Sequence, residues 1–156
     1  MIRFVLLLAV TVTCALGGCP AGWREFKGYC YSFNREPLPW ASAYAFCNSI
    51  GARLAEIDGA ERDQWLIAQL DQLNFSQTFV GLTRRIRLVE WLWEPSLRNT
   101  AKYSNWNPGE PNNYGLNEEC LEIKFSARKG WNDIYCGESR PYICEKRLNI
   151  YSVDLR

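Results

Sequence analysis

Residues 110–136 read EPNNYGLNEECLEIKFSARKGWNDIYC and contain two polar groups on either side of an apolar run. The first group crowds carboxylate and amide side chains beside a proline and a glycine: Glu110, Asn112, Asn113, Glu118 and Glu119. The second group is Asn132 and Asp133, which follow Trp131. Calcium binds about six to eight oxygen atoms in proteins, more than one loop usually supplies. The two groups together are therefore candidate ligands of one cation.

Two cysteines and a proline bear on this interpretation. If Cys120 pairs with Cys136, the disulfide ties the end of the first group to the second, and it restricts the unfolded chain by about 3 kcal/mol. A cis peptide bond between Glu110 and Pro111 is expected to turn both flanking side chains to one side. Taken singly, each polar group is also typical of a surface turn, because Asn, Asp, Pro and Gly are common turn residues.

The composition predicts one domain with a cleaved leader. The chain has 156 residues, 47% of them hydrophobic, which is enough for one core and too few for two ordinary domains. Residues 1–17, MIRFVLLLAVTVTCALG, combine an early arginine, an apolar run and small residues at the end, as in a signal peptide. No later run is apolar for long enough to span a membrane. We therefore expect a secreted, extracellular domain at 18–148, followed by a short tail at 149–156.

Charge and cysteine content exclude several classes of function. Without residues 1–17 the basic and acidic residues balance, so the composition gives no support for a nucleic-acid partner. Six cysteines remain, and an even number in a secreted chain indicates three disulfides. A lipid anchor on Cys19, in the sequence LGGC, is an alternative that would leave an odd thiol.

The chain contains no histidine. This absence excludes Ser-His-Asp and Cys-His catalysis, and it argues against a zinc site. An enzyme would have to work with carboxylates or a metal. The crowded acidic residues are better explained by one cation, so we predict that the protein is not an enzyme.

Periodicity predicts a hairpin and two helices. Aromatic and polar residues alternate over 23–33, as in a short β-hairpin. The segment PWASAYAFCNSIGARL at 39–54 predicts a helix that buries Cys47. A second helix is predicted over 58–74, DGAERDQWLIAQLDQLN, with Asp58 as its cap.

Further strands are expected over FVGL at 79–82, CLEIKF at 120–125 and PYICEK at 141–146. Residues 83–119 show little periodicity and are predicted to be irregular, although their tryptophans argue against disorder. Asn74 begins an Asn-X-Ser sequon and is a candidate N-glycosylation site.

In combination these features resemble the long form of the C-type lectin domain family, which carries an extra N-terminal disulfide. The resemblance covers residues 19–146. It rests on FVGL where the family has WIGL, on EPN at 110–112, on WND at 131–133 and on the order of the cysteines. It implies an α+β fold with two helices, small antiparallel sheets, a long irregular calcium-binding loop and three disulfides: Cys19–Cys30, Cys47–Cys144 and Cys120–Cys136.

The resemblance also implies a ligand set. The family's principal calcium site corresponds, residue by residue, to Glu110, Asn112, Glu118, Asn132 and Asp133, and in calcium-dependent members two vicinal sugar hydroxyls bind the metal directly. EPN implies equatorial 3- and 4-hydroxyls, as in mannose, N-acetylglucosamine or fucose, whereas galactose-type members carry QPD. Tyr114 is a further candidate sugar contact, because an aromatic ring there could stack on the sugar, as is frequent in galactose binding.

The family's auxiliary calcium site uses acidic residues where this chain has Arg84, Leu88 and Asn113. We therefore expect one bound calcium ion rather than two. Arg84 is hypothesised to pair with Glu118 or Glu119 and so to replace the missing metal.

The sequence thus predicts a calcium-dependent lectin for glycans on cell or microbial surfaces, as in innate immunity. The alternative is a lectin-like module of the venom or immune-receptor type, which binds protein, with incidental or galactose-type sugar binding. Such relatives usually have a broken ligand set. Because the tail is too short for a helical neck and all six cysteines are paired in this interpretation, a monomer or a non-covalent oligomer is expected. Trp131 is expected to be a core residue.

Overall fold

The computed structural model describes residues 18–100, 102–125 and 128–148. The expected signal peptide at 1–17 and the tail at 149–156 lie outside these residues. Within the described ranges, no helix combines the length and the apolar character needed to cross a bilayer.

The described residues form an α+β domain with two α-helices, which confirms the predicted fold class. The chain order is β1 (Arg24–Phe26), β2 (Tyr29–Pro39), α1 (Trp40–Ser49), β3 (Arg53–Leu54), α2 (Ala60–Gln72), β4 (Gln77–Thr83), β5 (Leu92–Trp93), β6 (Arg98–Asn99), a 3-10 helix (Tyr114–Leu116), β7 (Glu118–Phe125), β8 (Lys129–Tyr135) and β9 (Ser139–Arg147). The region 83–119 is mostly irregular, as predicted, apart from the two short strands and the 3-10 turn.

The N-terminal hairpin brings the two ends of the domain together. β1 pairs antiparallel with β2 through a two-residue turn at Lys27 and Gly28, whose φ angles are 47° and 74°. Positive φ at both positions matches the twist of the flanking strands. The Cys19–Cys30 disulfide holds the segment before the hairpin against β2. Because β2 also pairs antiparallel with β9, the hairpin is joined to the last strand of the domain.

Helix α1 follows Pro39 directly, and a proline suits a helix start because its missing N–H would have no helical partner there. The helix ends before Gly51, which has a φ of 66°. Cys47 lies on the buried face, as predicted, and forms a disulfide with Cys144 in β9. The helix is therefore covalently attached to the central sheet.

The N-cap of helix α2 lies one residue later than predicted. Its N-cap is Gly59, and no side chain caps the helix. Asp58 instead forms an ion pair with Nε of Arg62 at 3.2 Å, so the prediction that Asp58 caps the helix was wrong. Leu66 and Leu70 are fully buried on the face of α2 that packs into the core.

Three neighbouring strands position the polar groups of the C-terminal half. β7 pairs antiparallel with β4 on one side and with β8 on the other. Strand β8, which carries Asn132 and Asp133, was not among the predicted strands. The Cys120–Cys136 disulfide closes the β7–β8 hairpin. All three disulfides that the resemblance implies are therefore present.

Candidate metal centre

Asp133 connects β8 to the loop that follows Pro111. Its Oδ1 accepts a hydrogen bond from the backbone N–H of Asn112 at 3.0 Å, and its Oδ2 accepts one from the backbone N–H of Asn113 at 2.8 Å. The N–H of Asn112 also lies 3.1 Å from Oε2 of Glu110. The Glu110-Pro111 peptide bond is cis, as expected. The two polar groups of the sequence therefore meet in space, and a carboxylate joins them.

The loop then turns back through Tyr114. The backbone N–H of Tyr114 donates to Oδ1 of Asn112 and to Oε2 of Glu118, each at 2.8 Å. The N–H of Glu118 donates to Oδ1 of Asn113 at 3.1 Å, and Asn113 adopts a left-handed conformation with a φ of 50°. These hydrogen bonds fix side-chain oxygens of Asn112, Asn113 and Glu118 within the nine-residue segment 110–118. Asn113 thus has a structural role in the loop.

Asn132 presents only one end of its amide to the loop. The residue is 8% exposed, and its Nδ2 donates to Oε1 of Glu122 at 3.1 Å and to the backbone oxygen of Asp133 at 2.6 Å. Since the nitrogen is engaged by these two acceptors, Oδ1 is the end that remains for a ligand.

The electrostatics of the site favour a cation. Burial raises the pKa of Glu110 above its usual value, and the adjacent Asp133 carboxyl raises it further. Burial likewise raises the pKa of Glu118, with a contribution from the negative charge of Asp133. A positive charge beside Glu110 and Glu118 would stabilise their ionised forms and so oppose the rise in their pKa.

The donor set fits calcium in its chemistry. It consists of three carboxylates and two amides, all oxygen ligands of the kind that hard cations prefer: Glu110, Asn112, Glu118, Asn132 and Asp133. In the part of the chain that the structure describes, no three His, Cys, Asp or Glu side chains form a metal-holding cluster on their own. Glu110, Glu118 and Asp133 therefore do not form such a cluster among themselves, and the predicted set adds the amide oxygens of Asn112 and Asn132.

Trp131 supports the site from behind. Its side chain is completely buried, as predicted, and packs edge-on against the rings of Trp93, Tyr103 and Trp106 at 5.8, 5.7 and 5.7 Å. Its Nε1 donates to Oδ1 of Asp63 at 2.9 Å. These contacts hold Trp131 in place directly before Asn132 and Asp133.

Asp63, in helix α2, was not identified from the sequence. It is fully buried, and its Oδ2 accepts from the hydroxyl of Tyr103 at 2.8 Å and from Nδ2 of Asn105 at 2.6 Å. Burial raises the pKa of Asp63, while the hydrogen bonds from Trp131, Tyr103 and Asn105 oppose that shift. One carboxylate thus connects α2, the irregular loop and β8.

Backbone contacts continue this connection to the metal ligands. The N–H of Trp131 donates to the oxygen of Asn105, and the N–H of Asn107 donates to the oxygen of Trp131, both at 2.8 Å. The N–H of Glu110 then donates to the oxygen of Asn107 at 2.9 Å. Gly130 permits this approach, because a Cβ there would lie 2.7 Å from the oxygen of Asn105.

Arg84 does not replace the auxiliary metal as hypothesised. Its guanidinium lies over the ring of Trp91, 5.6 Å from the centroid. Among the described residues no ion pair joins it to Glu118 or Glu119; only its backbone N–H contacts the latter, donating to the carbonyl oxygen at 3.0 Å. The pairing prediction was therefore wrong, and a cation–π contact holds this arginine.

Two other candidate residues are accessible. Tyr114 is 80% exposed beside the ligand loop, so its ring is free to contact a sugar. Asn74 is exposed immediately after helix α2, in a left-handed conformation with a φ of 56°. Hydrogen bonds of the loop connect Tyr114 with four of the five predicted ligands, which are Glu110, Asn112, Glu118 and Asp133. The fifth, Asn132, precedes Asp133 in β8, and Asn74 lies outside this group.

Comparison with known proteins identifies one family. The Lectin C-type domain matches residues 36–146. C-type lectin domain family 4 member E of mouse is 36% identical over 129 residues, which cover 81% of this chain and 59% of the mouse protein. Ladderlectin of Oncorhynchus mykiss is 34% identical over 135 residues, covering 85% of this chain and 70% of that protein.

The fold is also similar to solved structures. The carbohydrate-recognition domain of the mouse scavenger receptor C-type lectin superposes with a TM-score of 0.76 at 29% identity, covering 86% of this chain and all of that domain. The chain spans about three fifths of the length of the mouse family 4 member E protein, and the rest of that protein lies outside the match.

Proposed function

This chain belongs to the C-type lectin domain family, and from that premise we propose that it is a secreted lectin that binds carbohydrate through a calcium ion. The proposed calcium ligands are Glu110, Asn112, Glu118, Asn132 and Asp133. The proposed partners are glycans on cell or microbial surfaces, and residues 1–17 are proposed to be a cleaved signal peptide. Members of this family are in general binding proteins, and an activity as an enzyme is not part of the proposal.

The observation that carries the proposal is the position of the Asp133 carboxylate. Both of its oxygens accept backbone hydrogen bonds from the loop, at 3.0 and 2.8 Å, and so it holds Asn112 beside Glu110. Each carboxylate oxygen has a second lone pair, which remains for a metal. These contacts within the protein support the proposal that the loop binds calcium.

The proposed sugar contacts combine the calcium ion with side chains of the loop. A calcium ion held here would supply coordination positions for two vicinal hydroxyls. Each hydroxyl can donate its proton to a carboxylate such as Glu110 and accept from an amide such as Asn112, so that all of its bonding capacity is used. Glu110 and Asn112 belong to the EPN triplet, which in this family implies binding of equatorial 3- and 4-hydroxyls. The proposed ligands are therefore mannose, N-acetylglucosamine and fucose.

The affinity for a single sugar should be low, because the contact is small and polar. Calcium affinity is expected in the range of extracellular modules, with a Kd of about 0.1 to 1 mM. Strong attachment to a glycan surface would then depend on several copies binding at once. Either a non-covalent oligomer or a dense glycan surface on which monomers bind side by side would provide them.

Calcium-dependent retention on mannose and galactose resins, compared side by side, tests the proposal. We expect retention on mannose resin in calcium, elution by chelator and weaker retention on galactose resin. The double variant Glu110→Gln/Asn112→Asp, which creates QPD, should shift retention toward galactose. A matched control in the same loop, Asn117→Asp/Glu119→Gln, should leave the preference unchanged.

Retention that persists in chelator would contradict the proposed site and would favour the protein-binding alternative. Stronger retention of the wild type on galactose than on mannose would keep the calcium site but would overturn the proposed sugar class. Tyr114 is the residue to change in that case, because its ring is exposed and stacking on a galactose face is the role proposed for it.

A further inference from the structure

Glu122 bridges two side chains behind the metal centre. It is fully buried in β7; its Oε1 accepts from Nδ2 of Asn132 at 3.1 Å and its Oε2 accepts from Nε of Arg140 at 2.7 Å. We propose that Glu122 and Arg140 are positioning residues that orient the Asn132 amide with its oxygen toward the calcium ion. This inference rests on the proposed function and adds two residues to the site that do not touch the metal.

The orientation follows from hydrogen-bonding capacity. An ionised carboxylate only accepts hydrogen bonds, so the end of the Asn132 amide that faces Glu122 must be the nitrogen. Glu122 and Asn132 are directly opposite each other in the β7–β8 register, which brings their side chains together on one face. The same nitrogen lies 2.6 Å from the backbone oxygen of Asp133. Two acceptors on the nitrogen leave the oxygen for calcium, which binds oxygen ligands.

Arg140 holds the Glu122 carboxylate in place. The guanidinium forms an ion pair with this buried carboxylate, with Nε 2.7 Å from Oε2. Arg140 is itself held in place, because its Nη1 donates to the backbone oxygen of Ser139 at 3.0 Å and to Oε2 of Glu138 at 3.3 Å. The orientation of Asn132, a proposed calcium ligand in β8, therefore depends on the charged side chain of Arg140 in β9.

The substitution Glu122→Gln tests the role of the carboxylate with almost no change in shape. A glutamine has one acceptor and one donor end, and the charged Arg140 should retain the acceptor. The glutamine nitrogen then faces Nδ2 of Asn132, and two donors oppose each other. We expect the Asn132 amide to be displaced or inverted and the calcium Kd to rise by about 10- to 100-fold, as for other changes behind metal ligands.

The second substitution Arg140→Gln, added to Glu122→Gln, should reverse this loss. A glutamine at 140 can place its Oε1 where Nε of Arg140 lies, because both atoms occupy the same position along the side chain. It then accepts from the glutamine nitrogen at 122, and the oxygen at 122 returns to Nδ2 of Asn132. We expect the calcium Kd to recover to within about threefold of the wild type.

The experiment measures calcium Kd by isothermal titration calorimetry and, without calcium, the side-chain amide resonances of Asn132 by 15N NMR. Loss of these resonances in Asn132→Asp identifies them. They should shift in Glu122→Gln and return in the double variant, an effect that a change in net charge or stability alone does not produce. The matched control is Glu61→Gln, at an exposed residue that pairs with Lys27 outside β7, β8 and β9, and its Kd and amide resonances should match the wild type.

The outcomes separate this inference from the proposed function. A wild type that takes up no calcium contradicts the proposed function, and the inference falls with it. A wild type that binds calcium, together with a folded Glu122→Gln that binds equally well, overturns the inference alone. The same holds if the double variant is weaker than the single one, because buried polar groups with a merely structural role would add their losses.

Discussion

At the scale of single residues, Asp133 has two tasks in this account. Its oxygens accept the backbone N–H groups of Asn112 and Asn113, and the same oxygens are proposed to bind calcium. These hydrogen bonds lie within the protein, so we expect them to order this part of the loop before calcium binds. A loop that is already ordered loses less conformational entropy when calcium binds.

The substitution Asp133→Asn separates the charge from the shape. An asparagine can accept one of the two backbone hydrogen bonds, while its amide nitrogen faces the other N–H. We expect calcium Kd to rise by at least about 100-fold, and the calcium-free protein to lose about 1 to 3 kcal/mol of unfolding free energy. Calorimetry and chemical denaturation in chelator measure the two effects.

Asp71→Asn is the matched control for this change. Asp71 is exposed and pairs with Lys129 at 2.6 Å on the surface, away from the loop. Surface pairs contribute less than about 1 kcal/mol, so both quantities should stay close to the wild type. Equal effects of the two substitutions would count against a special role of Asp133.

A pH titration tests Glu110 and Glu118 together. In the calcium-free fold burial raises the pKa of both, so their contribution to stability is fully present below the unfolded pKa and is lost as the pH rises through the folded pKa. Calcium requires the ionised forms, so acidification weakens calcium binding. Because the pKa values of Glu110 and Glu118 are raised, calcium binding should begin to weaken at a pH above the usual carboxyl range, which is centred near about pH 4.

The two states should therefore respond to mild acid in opposite directions. Calcium affinity is expected to fall as the pH decreases through the raised pKa values. These two groups should not weaken the calcium-free fold over the same interval. Calcium titrations and thermal unfolding in chelator, measured at constant ionic strength across the pH series, provide the comparison. A calcium Kd that stays constant down to about pH 4 would contradict it.

At the scale of elements, helix α2 is attached to β8 through one buried carboxylate. Asp63 accepts hydrogen bonds from Trp131, Tyr103 and Asn105, which belong to β8 and to the irregular loop. The helix therefore contributes to the order of a loop from which it is separated in sequence by β4.

Replacing Asp63 by leucine leaves three donors without an acceptor. We expect a loss of about 3 kcal/mol or more in unfolding free energy and a change in the near-ultraviolet circular dichroism of the buried tryptophans. Asp63→Asn should cost less, because its oxygen can still accept from Trp131. If Asp63→Leu unfolds at the same denaturant concentration as the wild type, this connection has no energetic role.

The β7–β8 hairpin is closed by the Cys120–Cys136 disulfide, across a separation of 16 residues. Replacing both cysteines by alanine should reduce stability by about 3 kcal/mol and also weaken calcium binding, since Glu118 and Asp133 lie on the two strands. The matched control removes Cys19 and Cys30, which are 11 residues apart. It should reduce stability by a similar amount while calcium affinity in the folded protein is unchanged.

At the scale of the whole molecule, local patterns predicted most of the fold. The N-terminal hairpin, both helices and strands β4, β7 and β9 carry apolar periodicity or clear punctuation by proline and glycine. The six cysteines and the EPN and WND triplets supplied the rest through a family resemblance. The family and the fold are shown by the comparisons, whereas the ligand set stays a prediction.

The features that were missed depend on contacts between distant segments. Asp63 and Glu122 read as ordinary charged residues in a helix and a strand, because nothing local indicates that Trp131 or Asn132 lies opposite them. β8 mixes polar ligands with apolar residues and so lacks strand periodicity. Arg84 was assigned to Glu118 or Glu119 by charge alone, but its guanidinium lies over the ring of Trp91.

A calcium titration of the folded chain, by calorimetry and with mannose present and absent, tests the central claim most directly. The account predicts one calcium ion per chain, binding that is lost in Asp133→Asn, and an apparent calcium affinity that increases when mannose is present. Two calcium ions per chain would contradict the loss of the auxiliary site. A chain that binds no calcium, or whose calcium affinity does not respond to either mannose or galactose, would contradict the account as a whole.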